Sequence, residues 1–448
     1  MRGSLWNSGK GTVARTAMAV ALASGLGLGG MIAPAIAKEA KKEQPAAGGN
    51  SKEFAAAAAP FQKSFNDWQA TKGKAPEAEF KAGAQKLAGE IGPVEAGAKT
   101  PLDRLILGQW QQILGGAMGD GALQQKGLQN MADSGQLSAD KVPMVQYFLG
   151  ATAYQNKDYA TATKALRAAI DANYSEDNAA ELLADSYVQQ NQPTQALDAL
   201  KAAIAARKAA NGTVPVSWYK RGQVIAYNAK LGPQAIEWGL LSVAADPTPI
   251  NWLGAGQLTR EFSQFGKEES VDLGRLFERT GALGVDKQYT GREFVEYIQA
   301  ADPRRLPGEV QKLAEQGIAS GALKASDPFV SDALAQAKAR IAAGDKASLP
   351  AMERDAAKTA DGKLSAITAD AYLSYGDAAK AETLYKAALS KGIAAQADKD
   401  RIETRLGIAL ADQGKYDEAK AAFSTITSGV RLPLAQLWIQ YVVTKGAK

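Results

Sequence analysis

From about residue 61 onward, apolar residues recur three and four positions apart, with polar residues between them. That spacing predicts helices, because side chains three and four residues apart share one face of an α-helix. No stretch sustains the alternation of β-branched and polar residues that would predict a strand. Gly and Pro fall mostly between the helical runs, where helices stop and start. The pattern predicts an all-α chain. Its last run, "PLAQLWIQYVV" at 433–443, opens on Pro433, which suits a first helical turn. Leu434, Leu437, Trp438, Tyr441 and Val442 share one face of it. That face is expected to cover the end of the helical stack, with a partner-docking helix as the alternative.

The pattern also repeats. Shifting "LGATAYQNKDYATATKALRAAI" (149–170) forward by 34 residues sets Gly150 on Ala184, Ala162 on Ala196, Leu166 on Leu200 and Ala169 on Ala203. Ala153 falls on Tyr187. Small residues at these offsets let two antiparallel helices approach, and the larger residues fill the space beside the seam. A third copy has Trp218, Gly222, Ala235 and Pro247. A fourth has Ala369, Tyr372, Gly376, Ala381, Tyr385 and Ala388. A fifth has Leu406, Gly407, Gly414, Tyr416, Ala419 and Phe423, with "GKYDEA" at its turn.

With these residues at this period, the chain resembles the tetratricopeptide repeat family. "REFVEYIQAADPRRLPGEV", together with the N-terminal segment described below, also looks like exported repeat proteins of alphaproteobacteria. The family resemblance implies a right-handed superhelical solenoid of antiparallel helix pairs. It also implies that the first helix of each pair lines a concave groove. Carried onto the clearest copies, that places Tyr147, Tyr154 and Gln155 in the groove, then Glu181, Asp185 and Gln189, then Tyr219, Gln223 and Tyr227. Tyrosine offers a broad apolar face and a hydroxyl at low entropic cost, which suits peptide or glycan capture. The alternative is that these tyrosines pack between helices. Some family members hold a terminal carboxylate with Lys, Asn and Arg. Tyr147 and Ala151 stand at the places of the first Lys and Asn, which argues against that ligand here.

The N-terminal segment changes the picture of where the chain works. Arg2, Lys10 and Arg15 precede "AMAVALASGLGLGGMIAPAIA", which ends on Ala35-Ile36-Ala37. This is the pattern of a secretory signal peptide over 1–37, with an uncleaved anchor as its rival. Loss of those three basic residues takes the formal charge from +5 to +2, so the mature chain is not basic enough to suggest a nucleic-acid partner. There is no Cys and no His. That excludes a disulfide, a thiol nucleophile, a histidine zinc site and a Ser-His-Asp triad. An exported chain without Cys points to a bacterial periplasm.

The expected organisation is a signal peptide at 1–37 and a flexible Ala/Gly-rich leader at 38–60. Degenerate helix pairs follow at 61–140, a repeat array at 141–285 and divergent pairs at 286–350. A repeat pair with its closing helix completes the chain at 351–448.

Few motifs carry chemistry. "GLGLGG" has dinucleotide-loop spacing but lies in the signal segment without a preceding strand, and "GKGT" lacks the rest of a P-loop. Glu268-Glu269 could serve acid–base work, but acidic pairs of this kind are expected on solvated helix faces. In "DPRRLPGE" (302–309), Pro307 is expected to open a helix, with Glu309 near its positive end. Arg304 and Arg305 could bind an anionic group.

The expectation is a periplasmic, non-catalytic scaffold for a protein or peptide partner. It needs no cofactor or metal, binds no nucleic acid and has no integral span in the mature chain. The rival is an envelope glycan-processing or glycan-binding factor using paired carboxylates.

Overall fold

The computed structural model of the chain describes residues 49–174 and 178–447. The expected signal peptide and residues 38–48 of the expected leader lie outside the described residues. Every regular element among the described residues is helical, and most consecutive helices pack against one another. The chain forms two compact units, which divide between Trp218 and Tyr219. Position 285, the expected end of the repeat array, falls inside the second unit.

The first unit begins with α1 (Lys52–Gln69), inside the stretch read as leader. The Ser51 hydroxyl caps this helix by accepting from the Phe54 N–H. Phe54, Phe61 and Phe65 of α1 gather around Trp110 of α4 (Pro101–Met118), and this burial orders the segment. Helices α2 (Glu77–Glu90) and α3 (Gly92–Gly97) complete that cluster through Leu87 and Val94. Then follow α5 (Gly121–Asp133), α6 (Val142–Gln155), α7 (Tyr159–Asp171), α8 (Ala179–Gln189) and α9 (Pro193–Ala209). Helix α10 (Val216–Asn228) spans the division between the units.

The second unit continues with α11 (Gly232–Ala245), α12 (Pro249–Phe262), α13 (Lys267–Arg279), α14 (Lys287–Ala301) and α15 (Pro307–Ala319). Next come α16 (Pro328–Ala342), α17 (Asp345–Lys358), α18 (Lys363–Ser374) and α19 (Ala378–Lys391). Helices α20 (Gln396–Asp412), α21 (Tyr416–Ser424) and α22 (Leu432–Gly446) end the chain.

The copies legible in the sequence share one turn. Between the two helices of each, one residue has a positive φ: Lys157, Asn191, Lys230, Gly376 and Gly414. The next residue's N–H donates to the carbonyl five positions back, as in Asp158 to Ala153 (2.8 Å), Leu231 to Ala226 (3.0 Å) and Lys415 to Leu410 (3.0 Å). This is the left-handed stop that satisfies carbonyls at a helix end. The pairs then close on small residues. A Cβ added to Gly150 or Gly407 would come within 2.5 Å of Leu166 or Phe423, and one on Gly222 would strike the Trp238 ring. The helices at 250–283, inside the expected array, lack the shared turn, since α12 ends on extended Ser263.

Helix α22 does more than cover the last pair. Its buried face of Leu434, Leu437, Trp438, Tyr441 and Val442 packs on α21 and also on α11, α12 and α13. The Trp438 ring stacks on Phe423 at 5.6 Å, and Tyr441 meets Trp252 edge-on at 6.4 Å. The last helix of the second unit therefore packs on helices from early in that unit.

Candidate functional site

Packing of α20 and α22 on α13 brings charged residues from distant helices together. Asp272 of α13 is fully buried. It accepts from Arg275 Nη1 one turn later (3.0 Å), from Arg405 Nε of α20 (3.0 Å) and from Arg431 Nη1 beside α22 (2.8 Å). Trp438 Nε1 donates to the Asp272 carbonyl (3.2 Å). Arg275 grips Glu309 of α15 with two bonds of 2.8 Å, and the Tyr297 hydroxyl also donates to Glu309. Arg405 reaches Asp370 of α18 (2.7 Å) and Glu268 (2.6 Å). Arg401 and the Tyr385 hydroxyl donate to the same Asp370 at 2.8 and 2.6 Å.

Burial opposes ionisation of these carboxyls, and the arginines override it. Arg405, Arg431 and Arg275 together hold Asp272 far below the usual carboxylate range. Against the same desolvation, Arg405 and Arg401 lower Asp370, Arg275 lowers Glu309, and Arg405 and Arg305 lower Glu268. Burial and the Glu309 charge push the Tyr297 hydroxyl well above its ordinary value. The network is a set of fixed, opposed charges.

One side of this network opens into a cavity of about 630 Å³. Glu268, Glu269, Asp370, Arg305, Arg401 and Arg431 are part of its wall. Glu268 keeps 34% of its side chain exposed, but it is bridged by Arg405 and by Arg305 (2.8 Å). Glu269 pairs with Arg431 (3.0 Å) and also caps α13 by accepting from the Gly266 N–H. The expectation that both lie on a solvated face fails for Glu269, which Arg431 covers, while Glu268 stays partly exposed between Arg305 and Arg405. In "DPRRLPGE", Pro307 does open α15, and Glu309 sits in its first turn. Asp302 has a positive φ and accepts from the Arg304 backbone and side chain, which fixes the turn carrying Arg304 and Arg305 into the cavity wall.

The groove candidates are elsewhere, and their settings differ. In the first unit, Tyr147 is buried, stacked at 4.6 Å on Tyr174, with its hydroxyl donating to Asn178. Asp185 is also buried. Tyr154 is half-buried edge-on to Tyr159, Glu181 is half-buried, and Gln155 and Gln189 are exposed. In the second unit, Tyr219 and Gln223 are buried. Tyr227 is half-buried, with Phe262 edge-on at 6.0 Å and Lys230 Nζ 4.6 Å from its ring centre.

Sequence reasoning missed Asp272, Arg275, Asp370, Arg401, Arg405 and Arg431. A signal was present in "SVDLGRLF", where Asp272 and Arg275 interrupt an apolar run and occupy its helical period. Charges on a buried stripe need partners, and the pattern shows that need without showing which partners meet it. Among the described residues, no group of acidic side chains is arranged to hold a metal ion, and no helix is long and apolar enough to cross a membrane.

No family model matches the chain, and no curated protein matches it. Solved structures of low identity do. A tetratricopeptide repeat protein from Parabacteroides merdae ATCC 43184 is 11% identical, covering 67% of this chain and 99% of its own, with a TM-score of 0.27. A chain of the Naa15/Naa10 complex bound to HypK-THB is 12% identical over 82% of this chain and 63% of its own, with a TM-score of 0.23. A chain of the APC/C hetero-tetramer Cut9-Hcn1 is 12% identical over 88% of this chain and 70% of its own, with a TM-score of 0.26.

Proposed function

We propose that the chain is an exported, periplasmic helix-pair scaffold that binds protein or peptide segments and performs no catalysis. Stacked pairs present an extended series of first-helix faces. Tyr154, Gln155, Glu181 and Gln189 are the half-buried and exposed candidates on two such faces of the first unit. The observation that carries the non-catalytic reading is the arginine hold on the cavity acids. Glycoside hydrolysis by two carboxyls needs one that keeps its proton near neutral pH. Glu268 and Asp370 are instead held ionised by paired guanidiniums. Glu403, whose carboxyl burial does raise, is not among the cavity-lining residues.

The test is site-specific photocrosslinking of the full chain in an exporting bacterium, with the crosslinker at Gln155 or Gln189. Protein adducts in the periplasmic fraction, from a chain processed near Lys38, are the expected result. Adducts with glycan alone would favour the carboxylate reading. An unprocessed chain retained in the cytoplasm would remove the proposed compartment.

A further inference from the structure

We draw no further inference here: the strongest candidate, the cavity of the second unit with Ile367 exposed in its wall, carries nothing, because its arginines are matched by acids of the same wall and nothing in the structure shows what covers its apolar side.

Discussion

At the scale of single residues, two kinds of position carry the fold. The first is the shared turn. Its left-handed residue is Gly376 or Gly414 in two copies but Lys157 in another, at φ 63°. A Cβ in that region costs about 1–2 kcal/mol. Lys157 is exposed, so replacing it costs little packing. Lys157→Gly is expected to raise stability by about 1 kcal/mol after the added freedom of the unfolded chain is counted, read as a higher urea midpoint. The second kind is the buried charge. Asp272 is surrounded by Arg275, Arg405 and Arg431, so Asp272→Ala leaves three guanidiniums facing no carboxylate at that point. The expected loss is about 3–5 kcal/mol. A loss under about 1 kcal/mol in urea unfolding would mean that water or other acids replace Asp272 readily.

At the scale of elements, the difference between what the sequence shows and what it hides has a physical cause. Helix pairing is local. Gly222 and Trp238 meet at the same interval as Gly150 with Leu166 and Gly407 with Phe423, so the seam is written in the repeat itself. Closure by α22 is not local. Its apolar period is visible in "PLAQLWIQYVV", but Trp252 and Asp272, which it meets, lie far upstream and carry no mark of the meeting. The cavity depends on contacts between distant helices, which is why Arg340, Arg401 and Arg431 escaped prediction while Arg304, Arg305, Pro307 and the turn at "GKYDEA" did not. The candidate tyrosines show a related limit. Period places Tyr147 and Tyr154 on the same helix, but only the neighbours decide that the first is buried on Tyr174 and the second half-buried. Closure makes a test at this scale. Trp438→Ala removes a fully buried ring from the contacts with Phe423, Tyr441 and Asp272. It should cost about 3–5 kcal/mol. The same variant should loosen hydrogen exchange in α11–α13 as well as in α21. Protection lost in α21 alone would show that the ring contacts contribute little.

At the scale of the whole molecule, the charge network makes acid the condition that unfolds the second unit. Asp272, Asp370, Glu268 and Glu309 all have carboxyls lowered below their ordinary values by arginines that overcome burial. Glu382 behaves the same way: burial opposes its charge, but Lys386, Lys415 and Gln413 hold it down to about 2. Unfolded Asp and Glu titrate near about 3.9 and 4.3. Above those values both states are ionised, so the contribution of the network is fully present and independent of pH. Below them the unfolded chain takes up protons that the folded chain does not, and stability falls until the folded carboxyls protonate too. The unfolding temperature of the second unit should therefore be level from pH 7 to about 5, then drop steadily from about pH 4 toward pH 2. Asp272→Asn should start lower at pH 7 and drop less, because one of the linked protons has been removed. Calorimetry at closely spaced pH values, with and without that substitution, checks both statements. A fall that begins between pH 7 and 5, or equal slopes for the two chains, would show that the arginine-held carboxylates are not what acid titrates.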